Sequence, residues 1–448
     1  MSSTAFAPPK GAPSTDSDSP GAGAQEKREL HSDTESGDHG DAAHERLPDS
    51  ESFPEGGLRA WLVATGAGCV MFSTLGYSNS YGVFQQYYQV HQLRDVGPDD
   101  IAWIGGVQGF LTLATGAIGG PLFDRYGAWV IRPAAVLYVF AVMMTSISTK
   151  YWHFMLAQGL LTGLATGMVM FPAMSAASQY FHKRRGAAMG VTIAGSSLGA
   201  VVFPVVLSQL LNGSDIGFGW SVRICAFIML PVLTFACVAI TARLPPRASD
   251  FFLLRAFKDP IYDIIIASSF FLFVGMFIPL FYLPTYGVYR GMDEKLASNL
   301  SAILNSASIL GRIIPGILGD KLGRINALCA AGIATSILIF VWVKAVSVAG
   351  IIVFSVFIGF SSGALISGAS VVMSICTKDP QNVGTYMGQG FAIASVAALV
   401  APSANGALIK AYGGFDQVTY LSGTCCMFGA LLLLVTKWLT PQGLLGKI

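Results

Sequence analysis

Charged residues are scarce in this chain of 448 residues. Asp, Glu, Lys and Arg together make up 12% of it, roughly half the share that is usual in a soluble globular protein. The net charge is only +2, and the lysines and arginines stand between apolar runs rather than on one basic face. The composition therefore argues against a soluble domain and against a nucleic-acid-binding protein. Hydrophobic residues make up 53%, which indicates a chain that lies mostly in a lipid bilayer.

The cysteines indicate neither a disulfide framework nor a metal site. All seven cysteines fall inside apolar runs, so no disulfide pattern is readable and none has the spacing of a zinc site. A nucleophile–base pair and a phosphate-binding glycine loop are also missing from the sequence. We therefore predict no enzyme activity, no metal and no cofactor. The cysteines are at positions 69, 225, 237, 329, 376, 425 and 426.

Large apolar residues are nearly missing from residues 1–56, which are rich in Ser, Gly, Pro, Asp and Glu. Such a segment cannot bury enough surface to offset its ordering entropy, so we expect a disordered cytoplasmic tail. It does not resemble a signal peptide, because no apolar stretch follows a basic start.

Long apolar runs dominate the rest of the chain. A membrane-spanning helix needs about 20 mostly apolar residues, and twelve runs meet this length. The intervals between them are short, which predicts one helical bundle. The runs lie near 60–84, 101–121, 130–149, 153–176, 186–210, 221–242, 261–286, 297–318, 325–345, 349–375, 383–408 and 417–438.

The loop charges predict an orientation. Lys and Arg are denser in the loops on the side of the N-terminus, and such loops are usually cytoplasmic. We therefore expect a plasma-membrane protein with both termini in the cytoplasm. The glycosylation sequon Asn212-Gly213-Ser214 then lies outside, between spans five and six, so Asn212 is a candidate for modification.

One loop sequence occurs twice. Residues 120–127, between spans two and three, and residues 316–323, between spans eight and nine, both read Gly-x-Leu-x-Asp-basic-x-Gly. They lie six spans apart in the same orientation, as expected for a transporter built from two parallel repeats. The predicted fold is thus an all-α integral membrane protein with twelve transmembrane helices in two pseudo-symmetric six-helix halves. Its bundles are 57–243 and 260–440, with a cytoplasmic linker at 244–259 and a short tail at 441–448.

These two loops resemble the signature loop of the major facilitator superfamily. In that family the loop Asp binds a neighbouring helix N-terminus and basic residues, and so holds the cytoplasmic side in one state. The resemblance implies this gating role for Asp124 with Arg125 in the first half, and for Asp320 with Arg324 in the second. The alternative is a simple inner-loop turn that carries cytoplasmic positive charge.

Two further elements resemble the monocarboxylate-porter family, in a form typical of its fungal members. Before span one stands Pro54-Glu55-Gly56-Gly57-Leu58-Arg59-Ala60-Trp61, and span five is entered through Tyr180-Phe181-His182-Lys183-Arg184-Arg185. The basic cluster Lys183, Arg184 and Arg185 has two compatible interpretations. One is a gating role, and the other is attraction to the anionic inner leaflet.

One basic residue stands well inside a span. Arg312 lies in span eight, where a charged side chain is costly and marks a functional site. Its guanidinium offers a planar fork of donors that suits a carboxylate or similar anion. In monocarboxylate porters a span-eight Arg binds the substrate carboxylate, and the matching position here is Arg312. The alternatives are that Arg312 snorkels inward or pairs with Asp320.

The chain also departs from that family. A Lys late in span one is replaced by Asn79, and an Asp one turn before the span-eight Arg is replaced by Ser308. Simple lactate–proton symport is therefore not expected, and a larger or less acidic substrate is. The candidate polar contacts for it, besides Arg312, are Asn79, Tyr81, Asn305, Tyr282 and Gln389.

The predicted function is a secondary transporter for a small organic anion or metabolite, working by rocking of the two halves. Its partners are that small molecule and the bilayer. Proton coupling through Asp124, Asp263 or Asp320 stays open. An alternative is an exporter of a fungal secondary metabolite, and a less favoured one is a non-transporting nutrient sensor on the same scaffold.

Overall fold

The computed structural model describes residues 53–246, 251–377 and 379–440, together with Gly443 and Gly446. Most of the predicted tail 1–56 lies outside the described residues, as do residues 247–250 of the predicted linker and most of residues 441–448. Every regular element in the described part is a helix. The prediction of an all-α protein is therefore confirmed.

Twelve long helices, which we number α1 to α12, follow one another along the chain. The helix α1 contains a wider π-helical turn at Phe72–Gly76, and α4 contains one at Met155–Thr162. Short 3-10 turns occur at Gly127–Val130, Leu254–Lys258, Trp342–Lys344 and Pro380–Asn382. The helices are α1 Gly57–Val90, α2 Pro98–Ala114 with Gly116–Tyr126, α3 Ile131–Ser146, α4 Tyr151–Tyr180, α5 Arg185–Asn212, α6 Gly217–Ala239, α7 Pro260–Tyr289, α8 Glu294–Leu322, α9 Arg324–Val341, α10 Val348–Ile375, α11 Val383–Tyr412 and α12 Asp416–Leu439.

Eleven apolar segments of the described chain are long enough to cross a membrane, and one of them, Asp100–Ser146, has 47 residues. At 1.5 Å per residue a helix of that length would be about 70 Å long, more than twice the hydrocarbon core. The chain breaks at Gly127, whose φ of 70° is readily adopted only by glycine. This segment thus holds the two crossings α2 and α3, and the twelve predicted spans are all present.

Buried apolar side chains form two main clusters. One draws on residues 60–240 alone, whereas the other is centred on residues 265–433. The second cluster also contains six residues from the first half, so the two halves touch through apolar contacts as well as through polar ones. The pseudo-symmetric two-half fold follows from these clusters and from the repeated loop.

One end of the bundle collects the polar contacts between the halves. We call it the basic end and define it by Lys183, Arg184 and Arg185, which precede or begin α5. The end of α2, the end of α8 and the start of α11 lie at the same end, because their residues hydrogen-bond across it. The opposite end of the bundle is called the far end, and Asn212, the last residue of α5, is exposed there.

Candidate transport site

The loop aspartate of the first half lies against the second half. The buried Asp124, near the end of α2, accepts hydrogen bonds from the backbone N–H of Gly384 at 3.1 Å and of Thr385 at 2.6 Å. The Thr385 hydroxyl donates a third at 2.7 Å. The first N–H groups of a helix have no partner within it and attract anions. Asp124 therefore satisfies the N-terminus of α11 from across the interface.

The loop aspartate of the second half makes the mirror-image contact. Asp320 accepts from the backbone N–H of Gly186 at 2.8 Å and of Ala187 at 2.9 Å, at the start of α5. The Arg324 Nε donates to the same carboxylate at 3.1 Å. Each half thus closes onto a helix N-terminus of the other, and the basic end is held shut by this reciprocal pair.

The helices cross closely beside both aspartate contacts, and each of these two crossings needs glycine. A Cβ added at Gly120 would overlap the carbonyl oxygen of Gly384, and one added at Gly186 would overlap the carbonyl oxygen of Gly316. The helix backbones therefore touch directly, as small residues allow in membrane bundles. We call these contacts the α2–α11 crossing and the α5–α8 crossing.

The predicted basic gating residues differ in what they touch. The buried Arg185 donates from Nε to the Phe181 carbonyl oxygen at 2.9 Å and from Nη1 to that of Ser374 in the other half at 3.0 Å. Arg324 also donates to the His182 carbonyl oxygen across the interface. In contrast, the side chains of Arg125, Lys183 and Arg184 are exposed. The residues of the basic cluster therefore do not act as one group.

Sequence reasoning assigned no role to Glu55, yet its carboxylate binds the loop before α5. It accepts from the backbone N–H groups of His182 at 2.8 Å, Lys183 at 2.7 Å and Arg184 at 3.1 Å. Because Glu55 belongs to the element before span one, the two elements that suggested a porter family meet at this point. Their joint occurrence in the sequence was the signal that could have indicated the contact.

Arg312 is the one predicted binding residue that reaches from one half to the other. It is 6% exposed and donates from Nη1 to the Ile193 carbonyl oxygen at 2.7 Å and to the Ser196 hydroxyl, both on α5. Its Nε has no hydrogen-bond partner. No carboxylate within the described ranges pairs with it, and the suggested pairing with Asp320 is wrong, because Asp320 pairs with Arg324.

None of the other polar candidates hydrogen-bonds to Arg312. The Asn79 and Asn305 amides donate to carbonyl oxygens four residues back in their own helices, at 2.7 and 2.9 Å. The Tyr81 hydroxyl donates to the Ile101 carbonyl oxygen, and that of Tyr282 donates to Pro402 at 2.9 Å. Gln389 is buried in α11, and its Oε1 has no partner.

Three serines, of which the sequence analysis named only Ser308, complete the surroundings of Arg312. Ser196 accepts from its guanidinium. One turn earlier in α8, Ser308 accepts a 3.2 Å hydrogen bond from Ser197 of α5. The position at which carboxylate porters carry an Asp is therefore used here for a neutral contact between the halves. No spacing within the sequence links these residues, since they lie more than a hundred positions apart.

The fold and this site define a class. Two six-helix halves, locked together at one end and holding an unpaired buried cation at their interface, form a multi-pass membrane transporter. The sequence profile described as the Major Facilitator Superfamily matches residues 63–402. The chain belongs to this superfamily.

Curated relatives and solved structures agree with this assignment. The chain is 50% identical over 398 residues to the Aspyridones efflux protein apdF of Emericella nidulans, covering 89% of this chain and 82% of the relative. It is 37% identical to the Agnestins efflux protein AgnL12 of Paecilomyces divaricatus, covering 91% of this chain and 93% of that protein.

Among solved structures, the human organic anion transporter MFSD10 is 15% identical with a TM-score of 0.69 and covers 84% of this chain and 100% of its own. The E. coli fucose:proton symporter FucP matches with a TM-score of 0.67 at 15% identity, over 84% of this chain and 99% of its own. These likenesses confirm the predicted fold.

Proposed function

We propose that this transporter exports an anionic metabolite through alternating access, with Arg312 as the anion-binding group. The observation that carries the proposal is the unpartnered Arg312 Nε at the interface between the halves. A buried cation without a counter-ion is costly inside a membrane protein and is kept where it has a function. An anion that reached the interface would accept from the free N–H and offset that cost.

The monocarboxylate-porter resemblance and the relatives support different parts of the proposal. The porter elements before α1 and before α5, which meet through Glu55, favour an acidic substrate. Two relatives are named efflux proteins for metabolites, which favours export over import. We therefore place the protein in the fungal plasma membrane with both termini in the cytoplasm.

In this orientation the basic end faces the cytoplasm and the far end faces outward. The exposed Asn212 is then available for glycosylation. Asp124 and Asp320, assisted by Arg185 and Arg324, serve as the cytoplasmic gate, since each bond between the halves must break before the basic end can open. The exposed Arg125, Lys183 and Arg184 contribute positive charge at the membrane surface.

The moving bodies are the two predicted bundles, 57–243 and 260–440. Asn79, Tyr81, Asn305, Tyr282 and Gln389 serve as secondary substrate contacts. Four of these side chains already donate to a backbone carbonyl, so we assign them orientation of the substrate rather than its main binding energy.

A permanently charged probe tests the proposal. The purified full-length chain is placed in proteoliposomes loaded with naphthalene-1-sulfonate, which does not cross a bilayer unaided, and its efflux is followed by fluorescence. Arg312→Gln should slow efflux by about 100-fold, because removing one partner of a buried charge pair costs several kcal/mol. Arg223→Gln is the matched control, since Arg223 also lies in a span, where it donates to Ser146.

Two outcomes would contradict the proposal: efflux by Arg312→Gln at the wild-type rate, or an equal loss in both variants. An imposed pH gradient adds a test of proton coupling. Acceleration by the gradient would support coupling, and no response would indicate a uniporter.

A further inference from the structure

Methionine is concentrated where the halves meet. Six residues of the first half pack into the second-half cluster, and four of them are methionines. In the cluster that belongs to the first half alone, Met229 is the one fully buried methionine. Ordinary core packing would not place most of the first half's buried methionines against the second half. The six residues are Met71, Met170, Phe171, Met174, Met189 and Ile193.

The second half contributes methionines to the same cluster. The cluster contains eight buried methionines, and one of them, Met292, lies in the connection before α8. We call the other seven the methionine seam: Met71, Met170, Met174, Met189, Met276, Met373 and Met387. They come from α1, α4, α5, α7, α10 and α11. Met189 and Met387 occupy equivalent places, because each lies three residues beyond the glycine that donates to a gate aspartate. The seam therefore begins one turn inside the closed gate.

Aromatic rings continue the seam between the halves. The rings of Phe171 in α4 and Phe391 in α11 are 5.8 Å apart, and the ring of Phe273 in α7 lies 6.1 Å from that of Phe391. All three are buried. Because Phe171 belongs to the first half and Phe391 to the second, separation of the halves would part this apolar wall.

The cation adjoins this apolar wall. Ile193, whose carbonyl oxygen accepts from Arg312, is itself a member of the cluster. A molecule with its acidic group at the guanidinium would thus lay the rest of its body on methionine and phenylalanine. Methionine is unbranched and polarizable, so it adapts to apolar surfaces of different shape and makes favourable contacts with aromatic rings.

We infer that the exported anion is amphiphilic, with one acidic group for Arg312 and a bulky apolar or aromatic body that binds the methionine seam. The inference rests on the proposed function and adds the chemical class of the substrate. A small hydrophilic carboxylate would leave the seam without contacts, and a neutral apolar molecule would leave Arg312 unpaired. The chain holds both features side by side and so selects their combination.

A series of sulfonates with one head group tests the inference. Proteoliposomes with the full-length protein are assayed for efflux of propane-1-sulfonate, naphthalene-1-sulfonate and pyrene-1-sulfonate. The KM should fall by at least about tenfold from the propyl to the naphthyl compound, because binding is stabilised in proportion to the apolar area buried. The double variant Met170→Val/Met174→Val should raise the KM of the two aromatic sulfonates by about fivefold and that of the propyl sulfonate by less.

The control is Met229→Val, which changes an equally buried methionine outside the seam. A monodisperse elution profile and a wild-type melting temperature of the purified seam variant show that it is folded. Equal KM values for all three sulfonates, or equal effects of the seam and control variants, would overturn the inference while Arg312 dependence kept the proposed function intact. Conversely, wild-type transport by Arg312→Gln would defeat the proposed function whatever the size preference.

Discussion

The α2–α11 and α5–α8 crossings have the same construction at the gate and differ two turns further in. At each, an aspartate accepts from two backbone N–H groups at the start of a helix in the other half. Two turns before Asp124 the chain has Gly116, whereas two turns before Asp320 it has Arg312. The repeat thus keeps the aspartate contact in both copies and places a guanidinium in one.

The backbones at these two positions are packed alike. A Cβ added at Gly388 would overlap the carbonyl oxygen of Gly116, and one added at Gly190 would lie 2.5 Å from that of Arg312. The close approach of the helices therefore does not depend on which residue occupies the position. A Cβ at Gly116 would meet the ring of Phe171 at 2.5 Å, so the α2–α11 crossing has no room for a side chain there. The Arg312 side chain is therefore an addition to the scaffold rather than part of it.

The largest effect is expected from filling either crossing at the gate. Gly120→Val and Gly316→Val each put branched side chains against the opposing backbone, so the basic end should no longer close. Overpacking of this kind costs several kcal/mol, and the closed population should fall by about 100-fold. The distance between spin labels at Lys183→Cys and Lys321→Cys, in a background without the native cysteines, reports the opening.

Gly109→Val is the control for this prediction, because a Cβ at Gly109 of α2 meets nothing within 4 Å. Equal label distances in Gly120→Val and wild type would show that the α2–α11 crossing is not a close-packed contact. A response at one crossing alone would break the equivalence of the two.

A smaller effect is expected from the two loop aspartates, at both crossings. Asp124→Asn weakens the bonds to Gly384 and Thr385 and should lower the closed population by about tenfold, since hydrogen bonds to a charged group contribute about 1.5–3 kcal/mol. Asp320→Asn weakens the bonds to Gly186 and Ala187 and also leaves Arg324 without its carboxylate, so a loss of at least this size is expected. The same spin-label distances measure both, and a wild-type distance in either variant would show that its aspartate does not hold the basic end closed.

The sequence predicted these aspartates because the loop occurs twice in register. The family resemblance implied a helix N-terminus and, for Asp320, Arg324 as partners. It did not tell which helix of the other half is contacted, since that helix start lies at a distance that no local spacing encodes.

Asn79 and Asn305 were predicted as substrate contacts from their polarity alone. Polarity could not show that each amide donates to the carbonyl oxygen four residues back in its own helix. Arg312 was identified because a charge inside a span is costly, whereas its contacts with Ile193 and Ser196 required the folded interface.

The smallest effects are expected from the basic residues of the repeated loop. They show whether residues that share a position in the motif also share a contact. Arg125 and Lys321 occupy equivalent positions and are both exposed, so Arg125→Ala and Lys321→Ala should leave the spin-label distances and the efflux rate within error of wild type. Position 321 carries a label in the first pair. For Lys321→Ala the spin labels are therefore placed at Lys183→Cys and Asp379→Cys. Arg324 has no counterpart in the first half, where the equivalent position is Ala128.

Because Arg324 binds both Asp320 and the His182 carbonyl oxygen, Arg324→Ala should lower the closed population by about threefold, in line with a partly exposed ion pair and one further hydrogen bond. An equal response to Arg125→Ala and Arg324→Ala would mean that positive charge at the basic end matters and its contacts do not. A response to Arg324→Ala alone would mean that the contacts of Arg324 stabilise the closed basic end. The α5–α8 crossing, which also holds the proposed anion-binding residue Arg312, would then take part in controlling when the basic end opens.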